Sequence, residues 1–361
     1  MEVFKLKSKV FFASANTFSG FVSYYKYVIN KSERVYILQG GLGSWKSEFI
    51  KKLGEDLKDC GFNVDFIYSS WDVGDIDAIF IEDIKVCVVD GTYNKIEERY
   101  PGAFERTLNF DEYYDIDYLR DNKEKIIYYT DRLFEEYDKY YKCMKEAKHI
   151  HDILESEYLI GMDFKKADSY TYEIINKLIK GKTDKKPEET HRFLGAMGPK
   201  GQVSFYDELT SNIANRYIIK GRPGTGKSTL MKKVGAAALI SGYNVEYYHC
   251  SFDPDSIDMI IIPEISSAIL DGTAPHVVEP QVRDNVIDMF SCINTDLVKE
   301  DEEPILSIWA EYKGQIEMAR GKLAYIYELR EELKRYYGKA TDSNMVNALR
   351  IRIENTLIQM K

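Results

Sequence analysis

The stretch RYIIKGRPGTGKSTLMKKVGAAALI, residues 216–240, decides how the rest of the chain is read. Arg216 to Lys220 is a short apolar run of strand type, and it opens directly on the glycine-rich segment Gly221-Arg222-Pro223-Gly224-Thr225-Gly226-Lys227-Ser228-Thr229. From Ser228 to Ile240 the residues Leu230, Met231, Val234 and Ala238 recur at helical spacing; Gly242 stops that helix, and Asn244 to His249 reads as the next strand. The unit is therefore β, glycine loop, α, β. The spacing G-x-x-x-x-G-K-[ST] between a strand and a helix has a physical reason. Several backbone N–H groups can converge on phosphate oxygens only where glycines free the dihedrals and clear side chains from the path. Lys227 then supplies a cation for the β and γ phosphates, the helix N-terminus favours the anion, and the Ser228 hydroxyl can ligate Mg²⁺.

The same unit occurs earlier in the chain. Residues 12–92 laid over 193–273, at a constant offset of 181 and without a gap, are identical at 22 positions of 34–92 and 6 of 12–33, so at 28 of 81. Matched pairs include Gly20/Gly201, Gly40/Gly221, Lys46/Lys227, Gly61/Gly242, Asp72/Asp253, Asp77/Asp258 and the Asp-Gly-Thr tripeptides at 90 and 271. Many are Gly, Asp or Lys, which a shared apolar rhythm does not explain. INKLI at 175–179 lies over ENTLI at 354–358, with the offset now 179. The polar, proline-containing connector 181–190 separates the copies, giving domains at 1–182 and 188–361. In the first copy Gly40-Gly41-Leu42-Gly43-Ser44-Trp45-Lys46-Ser47 keeps the lysine and serine but has tryptophan where the last glycine belongs. An indole there is expected to intrude on the phosphate volume or to open the backbone, leaving this copy weakened and supporting.

Continuous apolar runs at 78–81, 86–89, 259–262 and 268–270 predict strands covered on both faces, hence a parallel, helix-sandwiched sheet in an α/β fold. Residues 113–180 and 299–361 are poor in Gly and Pro and carry apolar and Tyr residues at helical intervals; they predict paired helices whose tyrosines pack as a core face.

The 361 residues hold 49 basic and 59 acidic side chains, net −10, which argues against bulk nucleic-acid or anionic-membrane binding. Five scattered cysteines without CxxC spacing give neither a disulfide framework nor a zinc site. The N-terminus lacks an unbroken apolar core, and nowhere do 18 apolar residues run together, so a cytoplasmic protein is expected. His149 and His151, two apart on a helix, face different sides and do not suggest a metal site.

A phosphate-binding loop needs a carboxylate at the end of a neighbouring strand. Asp271 closes the run Ala268 to Leu270, and Asp253 follows the second strand; Glu264 is a third choice. His276, Arg222 and Arg283 are further polar candidates near the loop.

The loop at 221–228 resembles that of the P-loop NTPase superfamily. With a related loop in the first half and Asp-Gly-Thr in each, the whole chain resembles a bacterial group of duplicated P-loop ATPase-like proteins. That resemblance implies two tandem three-layer α/β/α domains with mainly parallel sheet, each followed by a helical hairpin extension and packed as an intramolecular pseudo-dimer. It implies ATP and Mg²⁺ as ligands and carries Gly221, Gly224, Gly226, Lys227, Ser228 and Asp271 into roles; the residues themselves lead to the expectation that the loop 221–229 holds the nucleotide, that Lys227, Asp271 and Asp253 are catalytic, and that Ser228 with Asp271 is on the metal. Three functions follow as expectations: an ATP hydrolase acting in the second copy, a small-molecule or nucleotide kinase using the Asp253 side for its acceptor, or a nucleotide-dependent regulator or scaffold with negligible turnover and a protein partner.

Overall fold

The computed structural model describes residues 8–43, 45–273, 277–298 and 303–361. Among them twelve strands form one mixed sheet. From one edge to the other the order is Asn285–Asp288, Asn215–Lys220, Ser267–Asp271, Ile257–Ile262, Val245–His249, Glu189–Phe193, Val10–Phe12, Val64–Tyr68, Ile76–Ile81, Val86–Asp90, Arg34–Gln39, Glu105–Asn109. The second half of this list repeats the first in reverse. The halves meet at one antiparallel pair, Phe12 with Phe193, two residues that the 181 offset superposes.

Within each half five of the six strands point the same way. The exceptions, Ile76–Ile81 and Ile257–Ile262, run antiparallel to both neighbours, so the sheet is mainly parallel, as expected, with one reversed strand in each half. The reason is local: four residues, 82–85 or 263–266, join each to the next strand, and so short a link turns a hairpin but cannot carry a crossover. Lys85 and Ser266 take left-handed φ (51° and 43°) to close these turns.

Alternation along the central strands sorts the core onto two faces. Tyr36 and Leu38 point to one side with helix Lys46–Asp59, while Val35 and Ile37 point to the other, where a single cluster spans both halves from Phe11 to Ile218 and Leu270. Helix Lys227–Ile240 covers the second half as Lys46–Asp59 covers the first. It ends as the sequence predicts: Gly242 adopts φ 84°, letting Tyr243 N–H donate to the Ala238 carbonyl (3.0 Å) and Gly242 N–H to that of Leu239 (2.9 Å).

The helical segments pair across the halves, not within them. Helix Lys123–Leu159, about 55 Å long at 1.5 Å per residue, lies antiparallel to Glu303–Ala340. Trp309 meets Tyr158 at one end of this pair, and Tyr129 meets Tyr336 at the other. Their seam is built from Leu133, Tyr137, Tyr140 and Met144 against Ala319, Leu323, Ile326 and Leu333, so this tyrosine stripe is core. Helix Phe164–Leu178, from the first half, packs on Lys227–Ile240 of the second; helix Ser343–Ile358, from the second, packs on Lys46–Asp59 of the first. Each half thus covers its glycine-loop helix with the other's last helix. No helix among the described residues is long and apolar enough to cross a membrane.

This exchange has a measurable consequence. Val346, Leu349, Ile353 and Leu357 are buried in the first half's core, a contribution of roughly 6–12 kcal/mol at 1.5–3 kcal/mol per side chain, and Arg350 is ion-paired with Asp56. Fragments 1–182 and 188–361 expressed separately should each melt without cooperativity, and regain a cooperative transition when mixed. A cooperative monomeric melt of 1–182 alone would show that the exchange is dispensable.

Candidate functional site

Strand Asn215–Lys220 lies between Ser267–Asp271 and Asn285–Asp288, in register Ile219 with Asp271. The chain therefore leaves the sheet at Gly221 beside the end of the strand carrying Asp271. Gly224 and Gly226 take φ 77° and 80°, the left-handed region that glycine enters without strain, and Gly226 caps helix Lys227–Ile240. The buried Thr225 donates its hydroxyl to the Arg222 carbonyl (2.8 Å), which folds the loop on itself. Lys227 Nζ donates to the carbonyls of Gly221 (2.7 Å) and Arg222 (3.2 Å) and lies 3.4 Å from Asp271 Oδ2. The other Asp271 oxygen accepts from the Thr273 amide (2.9 Å) and hydroxyl. Burial raises the Asp271 pKa; Lys227 and Thr273 pull against that, and the nearby Asp258 carboxylate adds to the rise. Ser228 Oγ accepts from Ile257 N–H (2.9 Å), tying the start of the helix to the start of the strand that carries Asp258.

Of the residues singled out from sequence, Lys227, Ser228 and Asp271 converge. Arg222 lies over the Phe290 ring (5.7 Å), Pro223 is half-buried, and Thr229 is exposed. Asp253 is turned toward the long helix of the first half: its Oδ2 is 3.5 Å from Lys148 Nζ, and its Oδ1 accepts from Asp255 N–H (3.0 Å). Glu264 occupies the hairpin turn at the far end of the strands that carry Asp258 and Asp271. Arg283 is exposed, and His276 lies outside the described residues.

Two contributors were missed. Asp258 is buried at the start of an otherwise apolar strand, next to Asp271 because Met259 pairs with Leu270. Its signal was an acid inside the run IDMIII, repeated as Asp77 in IDAIFI. The other is helix Lys123–Leu159, whose main chain at Glu155 comes so close to the loop that a Cβ on Gly224 would stand 2.9 Å from the Glu155 carbonyl oxygen. One turn of that helix gathers His151, Asp152 and Glu155 with ligand-type atoms within 4.8 Å of one another. The signal for it is the i, i+4 spacing of His151 and Glu155, which the pair His149 and His151 does not have.

The first half repeats the main contacts, with differences in the threonine hydroxyl and lysine bonds. Lys46 Nζ donates to the Gly40 carbonyl (2.9 Å) and to Asp90 Oδ1 (3.0 Å); Thr92 N–H donates to Asp90 Oδ1 (2.9 Å); Ser47 Oγ accepts from Ile76 N–H (2.9 Å). Trp45 holds φ 67°, the conformation of Gly226, at a cost of about 1–2 kcal/mol for an L-residue. Its indole turns outward, 41% exposed, and donates to the Gly338 carbonyl (3.3 Å). The expected intrusion of the ring into the nest is therefore not what the structure shows: the left-handed backbone survives and the ring leaves through the mouth.

As a donor set for Mg²⁺ the second-half residues fit. Ser228, Asp271 and Asp258 offer hard oxygens at one end of adjacent interior strands, and Lys227 with the loop amides offers the complement for phosphate. Compared with known protein families, with curated proteins and with solved structures, the chain matches none of them.

Proposed function

We propose that the chain is a tandem duplication of a P-loop-type domain that binds ATP with Mg²⁺ and hydrolyses it in the second copy, the first copy completing the fold as a pseudo-symmetric partner in the cytoplasm. The observation that carries this reading is the position of Lys227: its ammonium sits inside a loop held open by two left-handed glycines, 3.4 Å from a strand-end carboxylate. An ammonium so placed stabilises charge on transferring phosphoryl oxygens, and the loop amides fix the chain of phosphates in line. Ser228, Asp271 and Asp258 would hold the metal, which supplies further neutralisation of the phosphate oxygens. Phosphate release should require Mg²⁺ and a nucleoside triphosphate. Its absence with every such nucleotide, in the presence of Mg²⁺, removes the hydrolytic part.

A specific contact supports a second reading, a nucleotide-dependent regulator. Each glycine loop abuts the long helix of the opposite half, Gly224 at Glu155 and Gly43 at Lys334, so a change in loop shape bears directly on the helix pair. That reading calls for tight binding, a nucleotide-dependent change in shape and almost no turnover. The kinase reading needs an acceptor near Asp253, and nucleotide consumption that appears only with one added metabolite would support it.

A further inference from the structure

We propose that the first glycine loop is an anchor: it grips the C-terminal end of helix Glu303–Ala340, from the other half, and makes the long helix pair a lever held at one end and movable at the other. The pair runs from one loop to the other. Its helices are antiparallel, with Lys334 beside Gly43 at one end and Glu155 beside Gly224 at the opposite end.

The main chain is framed alike at both ends. Asp115 N–H donates to the Ala340 carbonyl (2.7 Å) and Asp342 N–H to that of Tyr113 (2.9 Å). At the 179 offset the same bonds recur, from Asn294 N–H to the Gly161 carbonyl (2.8 Å) and from Asp163 N–H to that of Cys292 (2.7 Å). The bridge between Tyr114 and Thr341 likewise matches that between Met162 and Ile293. This agreement identifies the side chains that stand at equivalent places, and three of them differ in what they can hold.

The first is Tyr114, whose hydroxyl accepts from Gly41 N–H (2.6 Å); its counterpart Ile293 has no hydroxyl. The second is Lys334, whose Nζ lies 2.6 Å from Oδ2 of the buried Asp72 and 3.0 Å from Asp75 Oδ2. Glu155 stands at the place of Lys334, and Asp253 at that of Asp72 by the 181 offset. An ion pair in the first half thus gives way to two like charges in the second, and Asp253 turns to Lys148 (3.5 Å). Separating a buried pair leaves an uncompensated charge, so this contact resists opening. The third is Trp45, which donates to the Gly338 carbonyl (3.3 Å), whereas Gly226 has no side chain to do so. The loop's glycines agree with this grip. A Cβ on Gly41 would overlap the Tyr337 ring, and one on Gly43 would overlap the Lys334 backbone, so both positions serve close approach of the helix. The second loop carries a full side chain, Arg222, at the place of Gly41.

Hold is therefore uneven along the helix pair, and opening belongs to the end with fewer fastenings. The direction of motion rests on the nucleotide reading: a ligand that reshapes the second loop at Gly224 bears on Glu155, and the pair shifts there while the Lys334 end stays. The anchor itself does not depend on nucleotide.

Hydrogen exchange of the full chain, followed by mass spectrometry with and without the Mg²⁺ complex of a non-hydrolysable ATP analogue, tests both parts. Without nucleotide, residues 334–341 should be protected at least about tenfold more than their counterparts 155–162. Tyr114→Phe, which removes one oxygen and should keep a native melt, and Lys334→Met should each lower protection of 334–341 at least about threefold and leave 155–162 unchanged. Equal protection of the two ends in wild type, or no response of 334–341 to Tyr114→Phe and Lys334→Met, overturns the anchor. With the analogue bound, wild type should change at 155–162 and not at 334–341, and Tyr114→Phe should change at both. An equal change at both ends of wild type overturns the lever. If the analogue does not bind, the lever falls together with the nucleotide reading, and the comparison of the two ends without nucleotide still decides the anchor.

Discussion

Lys227→Ala should lower Mg²⁺-dependent ATP turnover at least 100-fold with little change in the melting transition. Removing one preorganised charge aimed at developing negative charge typically costs about 3–4 kcal/mol in the transition state. The ammonium is held by two carbonyls of its own loop and by Asp271, so its position is set by the protein alone. The pairing also means that the variant leaves the half-buried Asp271 without its cation, which raises its pKa further and favours the neutral acid. A kcat/KM within threefold of wild type would show that the loop does not bear on the chemistry.

The second large effect concerns stability. Arg192 is buried at the seam between the halves, 3.2 Å from Glu246 Oε2, 3.1 Å from the Tyr248 hydroxyl and 4.2 Å above the centre of the Phe11 ring. Lys9 also pairs with Glu246, and its N–H donates to Asp65 (2.7 Å). Arg192→Met should cost about 3–5 kcal/mol at pH 7, the range for removing one partner of a buried ion pair. Burial would raise Glu246, but Arg192 and Lys9 overcome it and bring it down to about 2. A folded value below the unfolded 4.5 makes the Glu246 contribution complete above that pH and lost as pH falls toward 2, a span of roughly 3 kcal/mol. Asp65 works the other way: burial lifts it to about 6, so its ionisation opposes folding progressively as pH climbs from about 4 to 6. Urea unfolding from pH 7 down to 2.5 should therefore show the gap between wild type and Arg192→Met narrowing as pH falls, because the two carboxyls that Arg192 holds down, Glu246 and Asp65, become protonated in the variant first. A gap under 1 kcal/mol at pH 7 would mean that the seam is held by its apolar contacts alone.

Much of this was legible in the chain. The 181 offset that aligns Gly40 with Gly221 also aligns the strands, because residues at a loop, a turn and a strand end were kept together. The meeting of Lys227 with Asp271 was readable because a glycine loop after a strand and an acid at a strand end each have a local pattern. The reversed strands were in principle legible from the four-residue links at 82–85 and 263–266, but an apolar run gives no direction. Asp258 was hidden for a related reason: a carboxylate inside a strand reads as an oddity until its neighbour is known to end in another. The exchange of helices could not be read at all. The face of Ser343–Ile358 that fits Lys46–Asp59 would fit Lys227–Ile240 on periodicity alone, and only tertiary packing chooses between them. Trp45 misled because bulk was judged without direction; a left-handed residue at a loop's rim can aim its side chain out.

The most direct measurement is a crystal structure of the full chain with a non-hydrolysable ATP analogue and Mg²⁺. Phosphate density should lie against the amides of residues 224–228, with Lys227 Nζ withdrawn from the Gly221 carbonyl onto a phosphate oxygen. A fully occupied nucleotide elsewhere, with Lys227 still bonded to Gly221 and Asp271, would contradict the assignment of this loop as the phosphate site.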